Sequence, residues 1–164
     1  MALYKANSTN SRNFNVTLEN QEIGELLIKK WYSFDADLIM SDGKNYQLIT
    51  KGFWDSKVEL IDGSQTLLDF KMGWKGIVIK TYFDHQERQY LLKLQGFINS
   101  KFILIDDSDQ ELSVASTDFK WLTLNFNYDI ETSASFDQLR NRDLLLMTML
   151  HCMNYYISYL SAAT

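Results

Sequence analysis

The sequence contains very little cysteine and no proline, and each absence narrows the choice of fold. Cys152 is the single cysteine among 164 residues, so an internal disulfide and a cysteine zinc cluster are both excluded. One cysteine is compatible with a reducing compartment. Without proline there are no proline-rich linkers. A chain of this length, 46% hydrophobic, therefore fits one domain with one core.

Basic residues are fewer than acidic residues, and residues 1–20 contain no apolar leader sequence. The 16 basic residues are outnumbered by 21 acidic residues, which gives a net charge of -5. Nucleic-acid binding requires a concentrated basic face, so nucleic acid is not expected as a partner. Residues 1–20 are polar and lack the apolar core of a secretory signal, and cytoplasmic localisation is therefore predicted.

From Phe14 onward the chain reads as a series of short β-strands. Residues 1–12 are predicted to be a loosely ordered lead-in, and residues 13–164 to form a single domain. Polar turns separate the strands, and glycine in Asp42-Gly43 and Asp62-Gly63 supplies the positive φ of a tight turn. Strands this closely spaced favour a sandwich or a closed barrel. The predicted strands are Phe14–Leu18, Glu22–Lys29, Ala36–Met40, Tyr46–Thr50, Lys57–Ile61, Thr66–Lys71, Gly76–Tyr82, Gln89–Gly96, Lys101–Ile105, Glu111–Ser116 and Lys120–Tyr128.

The strand pattern gives way to a long apolar segment. Residues 144–164 contain no Asp, Glu, Lys or Arg, and a helix is predicted at about 141–161. A short helix at Phe136–Arg140, capped by Ser135, is predicted before it. A helix this apolar belongs in a membrane or inside protein. Because His and Asn are costly at mid-membrane, we expect the strands to enclose it. Its main polar residues lie on one side: His151, Asn154 and Ser158.

Motifs for catalysis or metal binding are missing from the sequence. The chain has no glycine-rich phosphate loop, no nucleophile elbow and no paired-histidine motif. The acidic run at 106–111, with Asp106, Asp107, Asp109 and Glu111, has neither the glycine at the sixth position nor the glutamate at the twelfth position of a calcium loop. It is therefore predicted to be a solvated hairpin tip. His85 lies in a polar stretch typical of an exposed loop. We therefore expect no enzymatic activity, no cofactor and no metal.

Two hairpin segments and the final helix resemble the tubby C-terminal-like superfamily, which includes phospholipid scramblases and LURP-one-related proteins. Residues 38–48 and 58–68 resemble its hairpins, and residues 142–151 resemble its central helix. The resemblance implies a closed barrel of about twelve strands around the hydrophobic C-terminal helix. It also implies noncatalytic binding, since several members bind phosphoinositides or other membrane components. The cysteine-rich acylated stretch of scramblases is absent, so lipid scrambling is not implied.

Lysines stand beside aromatic residues in three places, at 29–32, 51–54 and 71–75. Adjacent residues on a strand point to opposite faces, which would leave one ring of each group outside, where it and the lysines could contact a lipid headgroup or an anion. The alternative is that these rings pack in the core or against a neighbouring strand. The candidate contact residues are Lys29, Lys30, Lys51, Lys71, Trp74 and Lys75.

The leading functional prediction is noncatalytic binding at the outer surface of the barrel. The expected partner is an anionic membrane lipid headgroup or a protein, and the protein would be cytoplasmic and peripheral at the membrane. Two alternatives remain. A small-ligand carrier would need an open lumen, and a tail-anchored membrane protein would use the C-terminal helix as its span.

Overall fold

The computed structural model describes residues 1–10, 13–29, 33–52, 57–96, 100–120 and 125–162. Within these ranges twelve strands precede two helices, with a 3₁₀ turn at Phe83–His85. The strands are β1 (Ala2–Asn10), β2 (Asn13–Leu18), β3 (Gln21–Ile28), β4 (Ala36–Met40), β5 (Asn45–Lys51), β6 (Lys57–Asp62), β7 (Gln65–Met72), β8 (Ile77–Thr81), β9 (Arg88–Gln95), β10 (Lys101–Asp106), β11 (Glu111–Lys120) and β12 (Asn125–Thr132). The helices are α1 (Ala134–Asp137) and α2 (Arg142–Ala162).

The strands form a closed antiparallel barrel of the up-and-down type. Each strand pairs with its neighbours in sequence, and β1 pairs with β12 from Ala2↔Thr132 to Asn7↔Asn127 to close the ring. Closure removes the edge strands that would otherwise present unpaired backbone groups. The predicted fold class, an all-β barrel with one main C-terminal helix, is confirmed.

Ten of the eleven predicted strands occur and the last occurs in part, but the prediction of a loosely ordered lead-in at residues 1–12 is wrong for residues 2–10, and residues 11 and 12 lie outside the described residues. Ala2–Asn10 form β1, which pairs with both β2 and β12. The segment is polar, and Tyr4 and Ala6 are its two buried residues, so its hydrophobic pattern is short. Pairing on both sides satisfies its backbone regardless of composition. For the last predicted strand, Lys120–Tyr128, Lys120 belongs to β11, residues 121–124 lie outside the described residues, and β12 runs from Asn125 to Thr132.

The short helix α1 begins two residues earlier than predicted. Its cap is Ser133, whose side-chain oxygen accepts a hydrogen bond from the Phe136 N–H at 3.2 Å, and not Ser135. The Thr132 hydroxyl donates to Asp137 at 2.6 Å. This bond ties α1 to the last residue of β12. The end of the strand therefore determines where the helix starts.

The two Asp-Gly sequences form tight connections, as predicted. Gly43 has a φ of 85° and its N–H donates to the Met40 carbonyl at 2.9 Å. Gly63, with a φ of 60°, lies between β6 and β7. Both conformations lie in the left-handed region that glycine adopts without a steric penalty.

Helix α2 lies inside the barrel, as predicted. Residues 144–153 are all buried, and at 3.6 residues per turn this run covers the full circumference of the helix. Strand residues that point inward, such as Leu48, Leu60 and Leu92, are fully buried against the same core. Side chains of the helix and the wall therefore fill the lumen.

Polar and aromatic contacts join α2 to widely separated parts of the wall. The Tyr128 hydroxyl of β12 donates to Asn154 Oδ1 at 2.9 Å. The Phe70 ring of β7 meets the His151 ring edge-on, with centroids 5.9 Å apart. Since β7 and β12 are five strands apart in the ring, these contacts hold the helix from nearly opposite sides.

Candidate functional site

The direction of α2 distinguishes the two ends of the barrel. Its first turn lies near the start of β1, where Tyr4 and Asp143 are 3.5 Å apart. Its last turns lie near the starts of β4 and β10, where Phe34 packs against Tyr155. We call these the entry end and the exit end. In an up-and-down barrel the odd-numbered strands finish at the exit end and the even-numbered strands start there.

Charge is separated between the two ends. The exit end carries lysines, and its acids, among the residues whose side chains are described, are Asp35 and Asp37, with Glu59 and Asp69 beside Lys57. The entry end is mainly acidic. Its described basic residues are Lys44, Lys80, Arg88, Arg140 and Arg142. The distribution complements the dipole of α2, whose positive pole lies at the entry end. The described exit-end lysines are Lys29, Lys51, Lys57, Lys71, Lys75 and Lys101. The entry-end acids are Glu19, Glu22, Asp42, Asp62, Asp84, Glu87, Asp106, Asp107, Asp109, Glu111, Glu131, Asp137 and Asp143.

Three of these lysines lie side by side across adjacent strands, and we call them the lysine row. Lys51 of β5 is the register partner of Lys57 of β6. The pair Val58↔Phe70 places the preceding Lys57 opposite Lys71 of β7. Val58 and Phe70 are buried in the core, so the lysines beside them point outward. At a strand spacing of about 4.8 Å, the row spans roughly 10 Å.

Like charges directly opposite one another destabilise a sheet. Two carboxylates beside Lys57 offset part of this cost. The Lys57 ammonium lies 3.2 Å from Glu59 and 3.9 Å from Asp69. Asp69 also accepts a hydrogen bond from the Tyr82 hydroxyl at 2.6 Å. Burial, followed by this bond to Asp69, raises the pKa of Tyr82. Lys51 is exposed and forms no ion pair with any residue in the described ranges.

Beside the lysine row, the turn between β7 and β8 carries a Trp that points entirely into solvent. Trp74 is fully exposed, at 104% of its reference area, and Lys75 next to it is exposed as well. The turn is closed by a hydrogen bond from the Gly73 N–H to the Gly76 carbonyl at 2.7 Å. The Trp74 ring therefore faces solvent and does not pack in the core.

The end of α2 adds apolar area to the same end of the barrel. Tyr159 is 55% exposed and Leu160 is 44% exposed. The exit end thus combines lysine ammonium groups with exposed aromatic and aliphatic side chains. This combination suits the boundary between water and a lipid surface, where an apolar body and a cationic group both find favourable surroundings.

The predicted contact residues do not all belong to one cluster. Lys51, Lys71, Trp74 and Lys75 lie on the strands and turn from β5 to β8. Lys29 follows β3 and is held by Asp37 at 2.9 Å. Lys30 lies outside the described residues, as do Trp31, Tyr32, Phe53 and Trp54 from the lysine–aromatic groups. Lys57 is not among the predicted contact residues. Its position at the start of a predicted strand indicates that it lies near one end of the barrel, but its neighbours depend on the strand register.

Inside the barrel, His151 is a buried structural residue. Its Nε2–H donates to the Phe34 carbonyl at 2.8 Å, and no described residue bonds to its Nδ1. Burial lowers the pKa of His151 to about 4, although the Phe34 carbonyl and Asp35 act in the opposite direction. Burial also raises the pKa of the Cys152 thiol well above its ordinary value. Both groups are therefore neutral near pH 7.

The acidic hairpin tip between β10 and β11 uses its carboxylate to shape the turn. Asp106 accepts hydrogen bonds from the N–H groups of Ser108 and Gln110, both at 2.9 Å. Within the described ranges, no three His, Cys, Asp or Glu side chains gather in a metal-binding arrangement.

Several concavities lie on the outer wall and near the entry end, away from the lumen. One of about 340 Å³ is lined by residues of β4, β5 and β6, including Ile39 and Ile61. Another of about 280 Å³ is lined by Phe83, Arg88 and Arg140 among others. Both are open surface depressions with mixed polar and apolar walls, and their lining residues lie away from the lysine row.

The chain matches no known protein-family model, no curated protein and no solved structure. The resemblance to the tubby C-terminal-like superfamily therefore stays a prediction from the pattern of elements.

Proposed function

We propose that this protein is a noncatalytic binding domain that attaches to an anionic lipid surface through the exit end of its barrel. The observation that carries the proposal is the separation of charge, which gathers lysines at the end where Trp74 and Leu160 are exposed. Each lysine near an anionic surface contributes about 1 kcal/mol to binding. A few such contacts are enough for reversible, peripheral attachment.

The net negative charge of the chain does not oppose this attachment, because most of the acids are distant. Helix α2 has 21 residues, so its ends are about 30 Å apart. The Debye length at physiological salt is roughly 8 Å. The two ends are therefore several Debye lengths apart, and salt screens the charges of the entry end from a membrane at the exit end. Local charge, and not net charge, governs the contact.

The two alternative functions, a small-ligand carrier and a tail-anchored membrane protein, have less support. Side chains of α2 occupy it over residues 144–153, where a carrier would need an open cavity. Within the described part of the chain, no helix has both the length and the apolarity to cross a membrane. Binding at the outer surface is the function best supported by this arrangement.

Co-sedimentation with liposomes tests the proposal. The full chain, without detergent, is mixed with vesicles of neutral phosphatidylcholine or with vesicles that also contain phosphatidylserine, at 50 mM and at 300 mM salt. We expect binding to the anionic vesicles alone, weakened at the higher salt. Folded protein that stays in the supernatant with both kinds of vesicle would refute the proposal, and equal binding to both would refute its electrostatic basis.

A further inference from the structure

We infer that the barrel docks with one side of its exit end, the sector from β5 to β8, and that Trp74 is the side chain that enters the lipid headgroup layer. This inference rests on the proposed function and specifies the surface that performs it. A membrane contact spread around the whole rim is the competing arrangement. The two arrangements differ in which lysines matter and in how the barrel axis lies relative to the membrane.

The exposed side chains of the exit end differ from one sector of the rim to another. Lys51 and Lys75 lie in the β5–β8 sector, are exposed, and form no ion pair with any described residue. Carboxylates hold Lys57, which lies between them, and Lys29 on the β3 and β4 side. Trp74, the one fully exposed aromatic side chain among the described residues, lies in the same β5–β8 sector. This sector therefore offers an amphipathic ring beside cationic groups to an anionic membrane.

The turn that carries Trp74 is firmly held, which favours its use as an anchor. Besides the bond between Gly73 and Gly76, the backbone of Gly76 packs directly on β9. A Cβ atom added to Gly76 would lie 2.2 Å from the Leu92 carbonyl oxygen, so only glycine permits this approach. A rigid turn presents the indole with little conformational entropy left to lose on binding.

Trp74 and the lysines around it have complementary roles at a lipid surface. The amphipathic indole prefers the headgroup layer, where its ring leaves water and its N–H keeps a polar partner. Lys71 and Lys75 stand on either side of the turn and are both exposed. Their ammonium groups can reach lipid phosphates while the ring is inserted. Contact through one sector tilts the barrel axis away from the membrane normal.

Matched substitutions inside and outside the β5–β8 sector test this inference. The test variants are Lys51→Gln/Lys75→Gln and Trp74→Ala. The control is Lys101→Gln at the start of β10, which lies at the same end of the barrel but outside the sector. Lys101 is exposed, so the control removes the same kind of group from the same rim.

Affinity for vesicles containing phosphatidylserine is measured for every variant. We expect a loss of about fivefold per lysine, hence roughly thirtyfold for the double variant. Trp74→Ala should weaken binding about tenfold, from the loss of roughly 60 Å² of buried apolar ring. The Lys101→Gln control should bind within twofold of the unmodified protein. Far-UV circular dichroism checks that each variant is folded.

Fluorescence with acyl-brominated lipids tests the insertion separately. Quenching of the unmodified protein minus that of Trp74→Phe isolates the contribution of Trp74, and we expect this difference to be large. If the protein binds but the Lys101→Gln control loses as much affinity as each lysine of the double variant, or the quenching difference is absent, one-sided docking through Trp74 is wrong and the proposed function stands. If the unmodified protein does not bind anionic vesicles, both fail.

Discussion

Acidification should destabilise the fold through His151, and the structure supplies the size of the effect. The ring is 1% exposed, and its Nε2–H is bonded to the Phe34 carbonyl. Protonation would add an N–H at Nδ1, for which the described residues provide no acceptor. Asp35 is the charged group that partly offsets the cost. The folded protein therefore resists a proton that the unfolded chain accepts.

The sign and magnitude follow from proton linkage. The pKa of His151 is about 4 in the folded state, below the ordinary value of 6.5 that applies to the unfolded chain. Between these values the unfolded state binds more protons, so stability falls as the pH falls. The stabilisation is fully present above pH 6.5. Since each pH unit of separation corresponds to about 1.4 kcal/mol, it decreases by about 3 kcal/mol by pH 4.

Urea unfolding of the full chain at pH 7, 6, 5 and 4 measures this loss. Carboxylates contribute to the same pH range, so the informative quantity is the difference between the unmodified protein and His151→Gln. Glutamine cannot be protonated, and its amide N–H can still donate to the Phe34 carbonyl. We expect the free energy of unfolding to decrease by about 3 kcal/mol less in the variant over this range.

Parallel pH profiles for the two proteins would refute the reasoning, because they would mean that His151 titrates alike in the folded and unfolded states. An NMR titration of the His151 ring provides an independent check, with His85 as the one other histidine to assign. A midpoint near 6.5 for the folded protein would contradict the buried, neutral assignment.

Two further predictions concern the core and a turn. Leu146→Ala, in the enclosed part of α2, should lower the free energy of unfolding by about 3 kcal/mol, whereas Leu160→Ala on the same helix should change it by less than about 1 kcal/mol. Similar losses in urea unfolding would argue against the enclosed helix. Gly76→Ala should destabilise the protein far more than Gly43→Ala. Both glycines have positive φ, but the added methyl group meets the Leu92 backbone in the first case and open space in the second. Equal melting temperatures for the two glycine variants would contradict the close packing of the β7–β8 turn on β9.

Local patterns in the sequence were sufficient for most of the secondary structure. Ala36–Met40 was predicted with the bounds that β4 has, and the helix predicted at about 141–161 occurs at Arg142–Ala162. The strand shows the alternation expected of burial on one face, and the helix shows a continuous apolar run, which reflects burial on all sides. Residues 2–10 lack such a period. Their strand exists because β2 and β12 pair with it, and this pairing is not visible locally.

The candidate site was only partly predictable, for a reason of topology. The sequence identified Trp74 and its neighbouring lysines as an unusual group, and their exposure agrees with the outward interpretation. It did not identify Lys57, which lies in the lysine row because of its register with β5 and β7. It also predicted a common role for Lys29, whereas the pairing of β3 with β4 brings Asp37 within 2.9 Å of that ammonium.

By itself the sequence determined the composition, the β-rich character and the need to enclose an apolar C-terminal helix, because these depend on side-chain hydrophobicity and short-range periodicity. Only the tertiary structure decided which charges lie together. An up-and-down barrel sends successive turns to alternate ends, so acids and lysines that are intermixed along the chain separate in space. Register then sets the neighbours of each lysine, because strand pairing joins residues that are distant in sequence.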